Sequence, residues 1–370
     1  MKRLVLAGGG HSHLFVLEAF ANAPLPDVEV VLVNRTLHAP YSGMLPGLVA
    51  GLYQFDECHI HLEFLTRRCS IPFRQTTVLS ADLARQQLTL EDGATLSYDF
   101  LSINTGSTPP LLDTPGAKEN VLPIKPIEDF LLGWASMRET IAKRARPMRV
   151  ALVGGGVGSV ELALAMQHAL RADSRHELKF EIVCDTPDIL TTHNAYVRRK
   201  FQRILAQRGI AVRANSRVVA VENHQLVFQH RGPLAYDFIV WVTGAQPAPW
   251  PRTAGLKTDA AGFIEINSAL QSCSHANVFA AGDCASQAQH PRPKSGVYAV
   301  RQGPPLARNL RHALRAEPLE IYTPQTRALA LISSGDPYAV ASWGEIGFAG
   351  KWVWRWKDRI DRRFVERFSH

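Results

Sequence analysis

A chain of 370 residues is long enough for two or three domains with sizeable cores. Its 46% hydrophobic and 20% charged residues are those of a globular protein, which excludes a disordered or fibrous one. The formal net charge is +8 and the pI about 9.4, with half of the excess in residues 351–370, where seven Lys/Arg face three Asp/Glu. No nucleic-acid module accompanies this charge, so it points to anionic lipid or an acidic partner and no nucleic acid is expected. Five scattered cysteines without a Cys-x-x-Cys pair argue against a disulfide scaffold or zinc ribbon and fit the cytoplasm. The apolar run after Met1-Lys2-Arg3 is too short for a signal peptide, and no stretch approaches a membrane span.

In chain order, residues 3–7 read as a strand, 11–22 as a helix and 28–34 as a second strand, the opening unit of a doubly wound sheet. Between the first two lies Gly8-Gly9-Gly10-His11-Ser12-His13. A buried strand over Tyr98–Ile103 ends in Asn104-Thr105-Gly106, and the proline-rich stretch Pro109–Pro126 marks a crossover. The plan then repeats: a strand at 149–153, the turn Gly154-Gly155-Gly156-Val157-Gly158, a helix at 158–171, a strand at 180–185 and a strand at 236–242 ending in Thr243-Gly244. Pro247, Pro249 and Pro251 mark the return, a strand over Asn277–Ala281 runs into Gly282-Asp283, and a helix follows from Lys294. After residue 312 a smaller α/β segment is expected.

Each glycine turn lets the backbone approach a pyrophosphate resting on the positive end of the next helix. Two such turns in matching contexts predict two dinucleotides facing each other, the layout of a flavoprotein that takes hydride from a nicotinamide. Neither turn is regular. His13 stands where the third glycine would pack helix on strand, so the first helix is expected to be displaced, whereas Ser159 at that place costs little. Candidate binding residues are Gly8, Gly10, His11 and Ser12 in the first turn and Gly154, Gly156 and Gly158 in the second, with Thr105, Gly106 and Gly244 at the Thr-Gly turns.

The ends of the second strands should hold the ribose. Asp185 does so in the second unit and favours NADH over NADPH by repelling a 2′-phosphate. The first unit has Asn34 and Arg35 there instead, and Arg35 also reads as plain surface charge. Asp283 reads either as a ligand for a sugar-alcohol chain or as a helix N-cap. Glu161, one turn into the second helix, reads either as facing the nicotinamide or as a buried carboxylate. Glu161 and Lys294 are the candidate catalytic residues. His59-x-His61 with Cys58 lacks a fourth ligand at zinc spacing, so no metal is expected. Val353, Trp356, Ile360, Phe364 and Phe368 form one apolar helical stripe with basic residues between, which either packs on the body or lies on a membrane surface.

Taken together, these positions resemble the FAD-dependent pyridine nucleotide-disulfide oxidoreductase superfamily, and within it the NADH dehydrogenase-like proteins, including the domain fused to selenide, water dikinase. Gly8 to His13, His38-Ala39-Pro40-Tyr41-Ser42-Gly43-Met44-Leu45-Pro46-Gly47, Lys294 to Gly303 and Trp352 to Asp361 carry the resemblance. It implies an α/β fold with two Rossmann-like, glutathione-reductase-type domains and a small C-terminal α/β domain. FAD would sit in residues 1–115 and 251–312, NAD(H) in 116–250, and residues 313–370 would close over the flavin. The resemblance also implies FAD contacts at Ser42, Gly43 and Gln302, hydride passing from NADH to FAD, and electrons passing to a small external acceptor.

The family's redox cysteine pair follows the second strand, where Pro40 to Gly51 holds no cysteine, so a thiol relay is not expected. Alternatives are a sulfide- or selenide-oxidising flavoprotein and a non-enzymatic flavin-binding partner of selenide, water dikinase. The expected location is the cytoplasm, with peripheral contact on the inner membrane face through the basic C-terminal helix.

Overall fold

The computed structural model describes residues 1–369 except 112, 145, 174 and 175. The first unit is built on β1 (Lys2–Ala7), α1 (His11–Asn22), β2 (Val28–Asn34), β3 (Phe73–Gln75) and β4 (Phe100–Ile103). The second repeats it with β5 (Leu122–Pro123), β6 (Met148–Val153), α2 (Val157–Asp173), β7 (Leu178–Val183), β8 (Ala211–Arg213) and β9 (Phe238–Trp241). The chain then returns to the first sheet with β10 (Val278–Ala280).

The two sheets, ordered β10-β4-β1-β2-β3 and β5-β9-β6-β7-β8, are parallel throughout, with a glycine-turn strand at each centre. Leu4 to Ala7 are wholly buried, as a parallel strand covered on both faces requires. In such sheets the ligand crevice opens beyond the strands' carboxyl ends, where the order reverses beside the central strand. Both glycine turns and both Thr-Gly turns lie there. The segments leaving the Thr-Gly turns pair with each other, Thr108 N–H donating to Gln246 O (2.9 Å) and Gln246 N–H to Thr108 O (2.7 Å).

Helix α3 (Gly296–Leu314) packs closely on α1: a Cβ at Gly303 would lie 2.2 Å from the Phe15 ring, so only glycine allows the approach. The antiparallel sheet β11 (Ala330–Ser333), β12 (Ala339–Trp343), β13 (Ile346–Gly350) and helix α4 (Lys351–Ser369) form the C-terminal part. Val353, Lys357, Asp361, Val365 and Phe368 make the buried track of α4. This corrects the single stripe read from the sequence, because Trp356 and Ile360 face outward. The helix is apolar on two sides, and its inner track is charged in the middle.

Candidate functional site

A cleft of about 430 Å³ opens at the carboxyl ends of β1, β2 and β4. Gly8, Gly10, His11, Asn34, Arg35, Ser42, Thr105, Gly106 and Asp283 line it, and so does Gly296 at the start of α3. Neither α1 nor α3 has a side-chain cap or an acidic residue in its first turn, so two positive helix ends face one cavity. A Cβ on Gly10 would lie 2.3 Å from Asn104 Oδ1 and one on Gly8 2.5 Å from Asn104 O, so the backbone is held where side chains cannot go. An anionic dinucleotide such as FAD fits this combination of bare helix ends, close backbone and volume.

Asn104, which the sequence reading passed over, ties the site together. Its Oδ1 accepts from the N–H of Ser12 (3.1 Å) and His13 (3.4 Å), and its Nδ2 donates to Ala281 O (2.6 Å). One side chain thereby joins the glycine turn to the strand that ends in Asp283. His13 is buried between helix and sheet. Its Nδ1–H donates to Gly8 O (2.6 Å), so Nε2 must accept from Ser102 Oγ (2.8 Å). Burial lowers this imidazole from its ordinary 6.5 to about 4 and keeps it neutral. His13 thus stands at the place of the third glycine with both ring nitrogens satisfied, one by the turn and one by the sheet.

The other candidates fall as follows. Both ends of the Asn34 amide are engaged, Oδ1 by Gly9 N–H (2.8 Å) and Nδ2 with Thr36 O (2.8 Å), so it shapes the turn. Arg35 pairs with Asp129 at 3.3 Å on the rim. Asp283 takes an ion pair from Lys125 (3.0 Å), a cleft residue absent from the sequence candidates. Ser12 lies beneath the cleft, its Oγ donating to Ala299 O (2.6 Å). Gln302 Oε1 accepts from Gly282 N–H (2.6 Å) and, with Lys294, lines a neighbouring 230 Å³ cavity that shares Asp283 and Ala299 with the cleft. Lys294 reaches Ala285 O, with its ammonium 3.9 Å from the Phe263 ring centre, and burial lowers its pKa.

Gly43 offers its carbonyl to Lys357 Nζ (2.6 Å), which also pairs with Asp361 (2.5 Å). Tyr41 bonds to Asp361 and stacks on Phe364 at 4.5 Å. These contacts seat α4 on the loop beside the cleft. The sequence signal was available: Lys357 and Asp361 sit at helical spacing between Val353 and Val365, on a track that is otherwise apolar.

Glu161 accepts from Ser333 N–H (2.7 Å) and Oγ (2.9 Å) in β11, so its carboxylate faces the C-terminal sheet, with Lys357 and Asp361 acting on it. Burial raises its pKa. In the second turn Gly154 has φ +130°, and a Cβ on Gly155 would lie 2.9 Å from Cys184 Cβ. Asp185 opens on its own cleft of about 260 Å³, while Gly156, Gly158 and Gly244 line none of the three cavities described.

All five cysteines are free and none lines the 430 Å³ cleft. The rings of His59 and His61 both lie near His38, yet no group of three metal-ligating side chains occurs among the described residues.

Residues 2–303 match the family described as pyridine nucleotide-disulphide oxidoreductase. The chain is 26% identical over 336 residues to an NADH dehydrogenase-like protein of Bacillus subtilis, covering 90% of each. It is 27% identical to a demethylphylloquinone reductase of Synechocystis over 76% of this chain and 71% of that one. The solved sulfide:quinone oxidoreductase of Aquifex aeolicus superposes with a TM-score of 0.84 at 20% identity, over 100% of this chain and 92% of that one, a likeness of fold. The protein is thus an FAD-dependent oxidoreductase that binds NAD(H). The chain belongs to the pyridine nucleotide-disulphide oxidoreductase family.

Proposed function

We propose that this protein oxidises NADH and passes the electrons to a quinone-class acceptor at a membrane surface, on the cytoplasmic side. FAD, when bound, supplies the step from a two-electron hydride donor to an external acceptor. Gly8 to Gly10 and the starts of α1 and α3 would hold its phosphates and ring. Asn34 and Arg35 would border the ribose end, and Asp283, steadied by Lys125, would accept from its sugar-alcohol chain. Gly154 to Gly158 and Asp185 would hold NADH.

The two faces of α4 carry the membrane reading. The inner face holds Gly43 and Tyr41 beside the cleft. The outer face exposes Trp352 (56%), Trp356 (39%) and Ile360 (42%), flanked at the same spacing by Lys351, Arg355 and Arg359. Phe348 stacks on Trp352 at 5.2 Å, and Trp343 and Ile346 extend the patch. Aromatic rings beside arginines suit the interface of an anionic bilayer, and no described helix is long and apolar enough to cross one. The names of the relatives support quinone as acceptor class. A sulfide- or selenide-oxidising role needs a thiol in the cleft, and none lines it. Partnership with selenide, water dikinase has the sequence resemblance as its support, and the free cysteines support a reducing compartment.

Anaerobic NADH should bleach the yellow flavin band, and a menaquinone analogue should restore it faster with anionic than with neutral vesicles. Persistence of the band would sink the redox reading. Equal flotation of wild type and W352S/W356S with anionic vesicles would sink the membrane reading.

A further inference from the structure

The cleft on the first sheet is walled in part by the second unit. Lys125, Pro126, Ile127 and Glu128 line it, although they follow β5 and open the helix Ile127–Lys143 beside the other sheet. This segment is rooted on its own side. Leu122 and Pro123 pair with β9, Ile124 N–H donates to Trp241 O (3.1 Å), and Ile127, Phe130 and Trp134 are buried in the second core. Across the cleft its ties are polar. Lys125 Nζ pairs with Asp283 (3.0 Å), Thr36 Oγ donates to Glu128 Oε1 (3.0 Å), and Arg35 pairs with Asp129 (3.3 Å). Asp283 follows β10, whereas Arg35 and Thr36 follow β2. Those two strands stand three places apart in the sheet, about 14 Å, with β4 and β1 between them. The segment therefore crosses above the carboxyl ends of β4 and β1, where Thr105-Gly106 and the first glycine turn lie.

We propose that residues 125–129 form a strap that gates the exchange of FAD, closed by these three ties and opened when they break. The ties have the strength a gate needs. The Arg35 and Asp129 side chains are 44% and 55% exposed, so their pair is weak and screened by salt. It can break and reform while both units stay folded. Asp129 lies on the rim and does not line the cleft, so its charge acts on the strap without touching the bound group. The plain alternative is that Glu128 and Asp129 only complement the positive end of their helix, and the test separates this from gating.

Exchange of the holoenzyme's FAD for isotopically labelled FAD gives the dissociation rate without electron transfer, and the FAD retained on dilution gives Kd. D129N should quicken exchange by about 2–5-fold, the loss of one exposed pair. D129K, which sets a second cation against Arg35, should quicken it further. In both variants Kd should stay within about twofold of wild type, because a gate alters the rates of entry and exit alike. Raising NaCl from about 0.05 to about 1 M should quicken wild-type exchange more than that of D129N. Exchange unchanged in both variants, or quickened only as far as Kd weakens, overturns the gate. Unchanged exchange with a lowered Tm would overturn it in favour of the helix-end role.

Discussion

The two glycine turns begin from the same strand–turn–helix plan and end as different devices. In the first, a buried polar network runs from Asn104 and His13 through the turn to the strand before Asp283. The cleft above it is bordered by Tyr41 and the charged inner track of α4. In the second, the buried Ser159 Oγ, at the position of His13, has no partner among the described residues. Its cleft is lined by exposed Asp185 and Arg217. The first device suits a group that stays, and the second a coenzyme that enters and leaves each turnover. Hydrogen bonds behind the glycines, more than the glycines themselves, make the difference.

The largest way to break this contrast is at the seat of α4. Lys357→Met would leave the Asp361 carboxylate buried without its partner, at a cost of about 3–5 kcal/mol, with much of the FAD lost on purification. Asp361→Leu added to it should restore most of the stability, because an apolar pair of similar volume replaces a desolvated one. Urea unfolding of the two variants decides this. A single variant as stable as wild type would show that the helix is seated by its phenylalanines alone.

Acid should act on the first unit next. The folded state keeps His13 neutral down to about pH 4, while the unfolded chain takes up the proton near its ordinary 6.5. Stability is therefore complete above pH 6.5 and falls as the pH drops toward 4, by about 3 kcal/mol from this residue. Burial lowers His11, His38 and His59 in the same unit, which adds in the same direction. Replacing His13 by Gln should flatten the difference in unfolding free energy between pH 7.5 and 4.5. An unchanged slope would remove His13 from the account.

Asn104→Ala comes third. It frees two buried N–H groups and the Ala281 carbonyl, costing about 2–3 kcal/mol. Bound flavin, read as the ratio of yellow to protein absorbance, should fall while NAD⁺ binding to the second unit persists. Equal loss of both would mean that Asn104 supports the fold at large.

How much of this was legible follows from the same residues. Glycine turns and apolar strands are local signals, so the doubly wound units and their order could be read from the sequence. Asn104 stands just past a legible strand yet is silent in the sequence, because its partners at Ser12 and Ala281 lie about 92 and 177 positions away. On the last helix, apolar periodicity joined Trp356 and Ile360 to Val353 and Phe368 in one stripe, whichever way it faced. Lys357 and Asp361 hold the inner side in place of Trp356 and Ile360, since a carbonyl at Gly43 and a hydroxyl at Tyr41 compensate their burial. Long-range polar satisfaction is what a pattern of apolar spacing cannot register.

The smallest expected effect is the sharpest control. Ser159 Oγ is buried without a partner, so removing it should cost nothing and return part of its desolvation penalty. Ser159→Ala should leave thermal stability unchanged or raise it by about 0.5–1 kcal/mol, with NADH kinetics preserved. His13→Ala at the equivalent place should be strongly destabilising, because it strands Gly8 O and opens a cavity under the turn. If Ser159→Ala instead destabilises the protein and weakens NADH binding, the hydroxyl meets a partner when coenzyme is bound. The second turn would then share the polar tie that distinguishes the first.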